Sequence, residues 1–499
     1  MYPHGSMYTQ SLAALLLALP LAAFAQAPAP KSPLDGIWLG TLHTGGPNLR
    51  LQFRLHQDAA GKWACLIDSI DQNAPNIPCA VGSSTNPINI DVPLVHGNFT
   101  GKLTGDTLDG QWTQGPGALP LKLERQTAAL APPPPPKPDP AMPPVALDQL
   151  KSVLDTDLAV ALKSGALAPG TNAGITIGVL QNGQRKIFSY GTASNDSVFE
   201  IGSITKTFTA TILAQMVEQH QVQLKEPVRE LLPPGTVTKP ASGAEITLLD
   251  LSTQHSGLPR MPDNFHPADP SNPFADYDAA KLYAFIGQHG LAVPANPTFL
   301  YSNLGVGLLG QALADRAGMP YPELLQKQVT GPLGMTHTAV VLTPDMRAHF
   351  LQGNTAAHRP AHAWDLVALA GAGGIRSNAA DMLTYLDAQL HPAKLPAAAL
   401  STSEGKTLSA AIADTHMLHA EAGPGQQIAL NWFHNTRGGG FWHNGATGGY
   451  TAYAFFNPEK DFAIIVLSNT ALSADNITDK LGQHIAQRLL GEPAVPLRP

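Results

Sequence analysis

The segment Ala131-Pro132-Pro133-Pro134-Pro135-Pro136-Lys137-Pro138-Asp139-Pro140 constrains this chain more than any other. Proline lacks the backbone N–H and has a fixed φ, so such a run enters neither a helix interior nor a central strand and adopts an extended polyproline II form. It therefore reads as a linker, over residues 127–145. At about 3.1 Å per residue, about 15 such residues span up to roughly 45 Å. A chain of 499 residues divided there should fold as two units, each with its own core.

Before the linker, residues 34–126 carry the period of a half-buried strand. Leu49, Leu51, Phe53 and Leu55 alternate with Arg50, Gln52, Arg54 and His56, and Leu119, Leu121 and Leu123 repeat the pattern. Glycines 36, 40, 97, 101 and 110 punctuate short strands bearing Trp38, Phe99 and Trp112. The expectation is a small all-β domain, an antiparallel sheet or barrel. Cys65 and Cys79 are the two cysteines of the chain, and in an oxidising compartment they should pair. Closing a loop of that size stabilises a fold by about 3 kcal/mol. Asp68, Asp71 and Gln72 read as solvated loop residues.

An oxidising compartment is suggested by residues 1–25. The apolar run Leu12 to Phe24, ending Ala23-Phe24-Ala25 before Gln26, has the form of a signal peptide with a small-residue cleavage site. At about 13 residues it is short of the roughly 20 needed to span a bilayer. The expected location is periplasmic or secreted, with no transmembrane anchor in the mature chain. Lys plus Arg is 30 against Asp plus Glu 37, a net charge of −7, and no long basic run is present. Nucleic acid is therefore not an expected partner. A small molecule or a cell-wall peptide is.

Residues 146–499 begin with a helical pattern and then a hairpin. Ile175, Ile177 and Val179 alternate before Asn182-Gly183, and Ile187-Phe188-Ser189-Tyr190 returns. Near the other end, strand-like runs at 439–443, 450–456 and 462–467 precede a helix over about 474–490 with Ile477, Leu481, Ile485 and Leu489 on one face. Between them lies a long, mainly helical stretch. The expected fold class is α/β: a mostly antiparallel sheet built from both ends of the domain, with a large helical insertion.

Three motifs fall in this second unit. Ser203-Ile204-Thr205-Lys206 opens a helix, and residues three apart share a helix face, so the Lys206 amine should stand beside the Ser203 hydroxyl. A second copy, Ser403-Glu404-Gly405-Lys406, lies in a polar stretch, so spacing alone decides nothing. Tyr301-Ser302-Asn303 is the single Tyr-x-Asn among ten tyrosines, at a loop-to-helix junction. The phenol there is suited to proton relay and Asn303 to holding a substrate carbonyl. His443-Asn444-Gly445 runs from a strand into Ala446-Thr447-Gly448-Gly449, where small residues let a substrate lie along the strand edge. The N–H of Ala446 pairs naturally with that of Ser203 as an oxyanion hole. Together these read as an acyl-transfer site, with Ser203, Lys206 and Tyr301 catalytic and Asn303, His443, Asn444, Gly445 and Ala446 binding substrate.

Phe199-Glu200-Ile201-Gly202-Ser203, Tyr301-Ser302-Asn303 and Gly445-Ala446-Thr447-Gly448-Gly449 resemble the serine β-lactamase and penicillin-recognising enzymes, in particular the class C branch with its D-alanyl-D-alanine peptidases and esterases. The stretches 254–259 and 371–377 look like loops of that family, with no role assigned to them. The resemblance implies a β-lactamase/DD-peptidase-like fold over about residues 145–490 and a serine acyl-enzyme formed by Ser203, with Lys206 and Tyr301 sharing the base role. It implies no cofactor and no metal. The family's Lys-Thr-Gly is replaced here by His443-Asn444-Gly445. A lysine would carry a fixed charge near a substrate carboxylate, whereas a histidine of ordinary pKa near about 6.5 is mostly neutral at pH 7. That points toward the peptidases and esterases of the family and away from efficient antibiotic hydrolysis. An esterase on the same scaffold and a noncatalytic cell-wall-binding protein are the alternative readings.

Overall fold

In the computed structural model, residues 32–497 are described, apart from 44–47, 73, 93–96, 115–116, 132–136, 165, 295–296, 437 and 474–476. Residues 1–25, expected to be a signal peptide, and the five consecutive prolines lie outside the described residues. The chain divides into two compact units on either side of the proline run.

In the first unit, alternation along the strands gives one nine-stranded sheet in which neighbouring strands pair antiparallel. Its inward positions meet as one core: Trp38, Phe53, Phe99, Leu121 and Leu123 are fully buried. Edge-to-face contacts of Phe53 with Phe99 at 5.7 Å and with Trp112 at 6.3 Å fix the centre. The two strands at opposite ends of the sheet order, Ala74–Pro78 and Ala80–Ser83, are consecutive in sequence and separated only by Cys79. One residue cannot bridge a flat sheet, so the sheet curls on itself into a barrel-like form. Cys79 is disulfide-bonded there to Cys65 of the strand Trp63–Ser69. Asp68 departs from the expectation of a solvated residue: it is buried and accepts hydrogen bonds from Arg54 and from Gln52, each at 2.8 Å. A carboxylate facing a guanidinium inside a sheet needs no water.

The second unit is an eight-stranded antiparallel sheet drawn from both ends of its sequence. The hairpin Gly174–Gln181 and Gln184–Gly191 turns at Asn182-Gly183, both with positive φ, and lies beside the late strand Phe462–Ser468. Thr451–Asn457 and Phe441–Ala446 follow outward, then three short strands. Phe462–Ser468 is buried on both faces, so it reads as a continuous apolar run rather than an alternation. Ile464 and Val466 face Leu481, Ile485 and Leu489 of the C-terminal helix Ile477–Leu490. Ile465 and Leu467 belong to the core that includes the helices Thr205–Glu218, Asn303–Ala317 and Ala379–Leu390. Helices therefore cover both faces of the sheet, and the inserted helical region supplies one layer.

Candidate active site

Ser203 lies in a single 3-10 turn, Gly202–Ile204, that leads into the helix Thr205–Glu218. The helix carries polar residues on every side, yet Thr205 to Met216 are all buried. The threonine hydroxyls make this tolerable. Thr207 donates to the Ile204 carbonyl, Thr209 lies 2.7 Å from both the Tyr321 hydroxyl and the Gly371 carbonyl, and Thr211 donates to the Thr207 carbonyl. The turn before it is pinned from the other side. Ile201 N–H donates to the Ile375 carbonyl, and Ile375 N–H donates to Thr205 Oγ1.

Two glycines let the strand Phe441–Ala446 lie directly against this turn. Gly202 has φ +50°, and a Cβ there would stand 2.6 Å from the Ala446 nitrogen. A Cβ on Gly445 would stand 2.0 Å from the Ile201 carbonyl oxygen and 2.9 Å from the Ser203 nitrogen. No side chain fits either space. The backbones of Ser203 and Ala446 are thus brought close together.

Lys206 is fully buried, and its Nζ lies 2.9 Å from Ser203 Oγ, 2.9 Å from Asn303 Oδ1 and 2.6 Å from the Ala372 carbonyl oxygen. Burial, reinforced by the Arg260 charge, holds this amine well below the pKa of an ordinary lysine. A neutral amine has two N–H groups and one lone pair. The Asn303 and Ala372 oxygens can only accept, so they take both N–H groups. In the neutral form the lone pair is left to face the Ser203 hydroxyl, the arrangement of a base, whereas the protonated amine donates to all three oxygens.

Tyr301 is hydrogen-bonded to Ser203, and the Lys206 amine sits 4.9 Å from its ring centre. Burial raises the phenol to about 12 against the opposing effects of the Ser203 hydrogen bond and Arg260, so it stays protonated at neutral pH. Its loop is fixed by residues to which the sequence assigned no role. Gln254, at φ +63°, accepts from Ser302 N–H at 2.7 Å and takes Leu300 N–H on its carbonyl. Ser302, not Asn303, caps the helix Asn303–Ala317, accepting from Gly305 N–H at 2.8 Å. Asn303 is therefore free to meet Lys206.

His443 is buried, 6.3 Å from the Tyr301 ring and 5.4 Å from Phe433. Its Nδ1 lies 2.6 Å from the Asn444 carbonyl oxygen, which only accepts, so the proton is on Nδ1. Burial, and then any positive charge on Lys206, push its pKa down to about 3 against that hydrogen bond, and the ring is neutral. The one sequence-selected side chain not gathered here is Asn444. It donates to Asp479 of the C-terminal helix at 2.6 Å, on the other face of the strand from His443. Two contributors had no side-chain signature to betray them: the Ala372 carbonyl, in the stretch 371–377, and Arg260, whose guanidinium lies 5.1 Å from the Tyr301 ring centre. Outside this group, His337, Asp345 and His349 bring one potential metal ligand each within 4.8 Å of one another, with His337 already hydrogen-bonded to Asp345 at 2.7 Å. None of the three contacts the Ser203 group in the structure.

The layered fold, with a half-buried serine and tyrosine gathered at a buried lysine, is that of a serine hydrolase. Residues 165–487 match the Beta-lactamase family, so the chain belongs to that family. A β-lactamase of Pseudomonas fluorescens is 28% identical over 337 residues, covering 60% of this chain and 88% of that protein. The D-alanyl-D-alanine-carboxypeptidase/endopeptidase AmpH of Escherichia coli K12 is 26% identical over 337 residues, covering 64% and 86%. The crystal structure of a class C beta lactamase from Rhodobacter sphaeroides aligns with a TM-score of 0.54 at 23% identity, over 67% of this chain and 97% of that one, a likeness of fold. The enzyme class is that of a serine hydrolase of the β-lactamase/DD-peptidase type.

Proposed function

We propose that this protein is an exported hydrolase that forms an acyl-enzyme on Ser203 with D-alanyl peptides and β-lactams. The observation that carries the reading is the buried Lys206 amine, 2.9 Å from Ser203 Oγ, 2.9 Å from Asn303 Oδ1 and 2.6 Å from the Ala372 carbonyl oxygen. Ser203 Oγ attacks the substrate carbonyl carbon while its proton passes to Lys206 Nζ. The N–H groups of Ser203 and Ala446 hold the oxyanion. As the C–N bond breaks, the protonated Tyr301 phenol relays a proton to the leaving nitrogen and is reprotonated from Lys206. Water then cleaves the ester, restoring Ser203. Asn303 and Gly445 border the site where the acyl group lies, and His443 presents no charge to it.

Export is supported by the apolar segment 12–24 and the disulfide Cys65–Cys79. Among the described residues no helix is long and apolar enough to cross a membrane. The relatives named β-lactamase and D-alanyl-D-alanine-carboxypeptidase/endopeptidase favour these two substrate groups. An esterase is the second reading. It is favoured by the 261–278 segment, where Phe265 packs on Phe274 at 5.0 Å and Tyr277 at 5.6 Å, and Phe274 on Trp364 at 5.1 Å.

The test is covalent labelling by a fluorescent penicillin, with intact-protein mass spectrometry after incubation with penicillin, a D-Ala-D-Ala peptide or a short ester. Ser203→Ala should abolish the adduct in every case. Labelling that survives in that variant overturns the mechanism, and cleavage of esters alone replaces the peptide reading with the esterase.

A further inference from the structure

The site holds three basic side chains, and only one offers a substrate a permanent charge. Lys206 is buried and its amine already meets Ser203, Asn303 and the Ala372 carbonyl. His443 is buried and keeps its ring proton on the Asn444 carbonyl. Arg260 differs from both: it is exposed, follows the loop that fixes Tyr301, and is anchored through its backbone by Leu304 N–H donating to its carbonyl at 3.1 Å. Its guanidinium lies against the Tyr301 ring, 5.1 Å from the centre. Among the described residues no carboxylate lies within ion-pair distance of it. By contrast, the buried Arg376 is committed to Glu200 at 3.2 Å and Asp365 at 3.1 Å.

We propose that Arg260 is the specificity-determining cation of this site, receiving a carboxylate carried by the acyl donor beside Tyr301. The inference rests on the acyl-enzyme reading above and adds which residue of this chain selects anionic over neutral acyl donors. A guanidinium stays charged at any working pH and presents a planar fork that matches a carboxylate with two parallel hydrogen bonds. Stacking on an aromatic ring holds that fork without consuming its N–H donors. Exposure lets the group meet a substrate before it is desolvated, and Tyr301 ties its position to the reacting hydroxyl.

The test uses the full chain and two chromogenic esters, p-nitrophenyl butyrate and p-nitrophenyl hydrogen succinate, which differ in an acyl carboxylate. The readout is the ratio of their kcat/KM values, anionic over neutral. Arg260→Gln should lower that ratio by about 10-fold or more, mainly through KM for the anionic ester, the size of effect expected from one charge-assisted pair. Arg260→Lys should recover part of the ratio, because it keeps the charge and loses the fork. A ratio that moves by less than about twofold, or turnover of the neutral ester alone, overturns the proposal while Ser203-dependent turnover leaves the acyl-enzyme reading standing. Absence of any Ser203-dependent turnover overturns both.

Discussion

The chain contains the same four-residue spacing twice, and the two copies have different fates. Both begin at the N-terminal end of a helix: Ser203 in the turn before Thr205–Glu218, and Ser403 as the first residue of Ser403–Asp414. Ser403 is exposed and donates to the neighbouring Glu404 carboxylate at 2.6 Å, and Lys406 is exposed as well. Lys206 is covered by Asn303, the Ala372 carbonyl and the core of the helical layer. Spacing sets proximity in both places. Only burial makes a base, because desolvating an ammonium ion costs several kcal/mol and the amine escapes that cost by shedding its proton.

The comparison is broken most directly at the two serines. Ser203→Ala should reduce turnover by on the order of 10⁴-fold or more, as loss of a nucleophile does, while Ser403→Ala should leave acylation rates within about twofold. Equal losses would remove burial from the explanation. The lysines come next. Lys206→Met should lower the acylation rate by about 10²- to 10⁴-fold, the range of a general base, and Lys406→Met should not change it measurably in stopped-flow acylation. Because Lys206 must be neutral and its pKa is depressed by burial, the wild-type rate should rise with pH through that pKa and plateau well below the pH at which an ordinary lysine titrates.

Much of this was legible in residue patterns, and the rest was hidden for identifiable reasons. Asn182-Gly183 between alternating apolar runs announces the hairpin, and the serine, tyrosine and histidine motifs announce the group that meets at Ser203. The ends of the sheet pair across nearly the whole unit because Ile175 to Gln181 and Phe462 to Ser468 are too apolar to be left uncovered. The Ala372 carbonyl was not legible, since any residue has one. Nor was Arg260, whose significance lies in a ring 5.1 Å away and not in its neighbours along the chain. Asn444 is the instructive departure. It was expected on substrate together with His443, but adjacent strand residues face opposite ways, and its amide is held by Asp479.

Gly445 sharpens the same contrast, between what the buried site requires and what the exposed face of a helix tolerates. Gly445→Ala would put a methyl group 2.0 Å from the Ile201 carbonyl oxygen. The strand must then retreat from the Ser203 turn, at a cost of about 1–3 kcal/mol in denaturant unfolding and with loss of oxyanion donation of about 10²-fold in acylation. Gly405→Ala is not an equivalent control, since a Cβ there meets the Ala399 carbonyl at 1.7 Å. Ala410, within the exposed copy's helix, is the better site for comparison, and Ala410→Ser should change neither readout appreciably.

The smallest expected effect concerns His443 and is a slope. Its folded pKa, about 3, lies below its ordinary value, so between about pH 6.5 and pH 3 the unfolded chain takes up a proton that the folded chain refuses. Stability is therefore full above about pH 6.5 and is lost as pH falls through that window, by at most about 1.4 kcal/mol per pH unit for one proton. His416, pushed down by burial to about 4, adds a second proton of the same sign, so the wild-type slope should exceed that of one group. In urea melts from pH 7 to pH 4, His443→Gln should flatten the curve by up to one proton's worth while His416→Gln removes the other part. A curve unchanged by His443→Gln would mean that the ring titrates in the folded enzyme as it does in the unfolded chain, and below about pH 6.5 the site would then have a second cation beside Arg260.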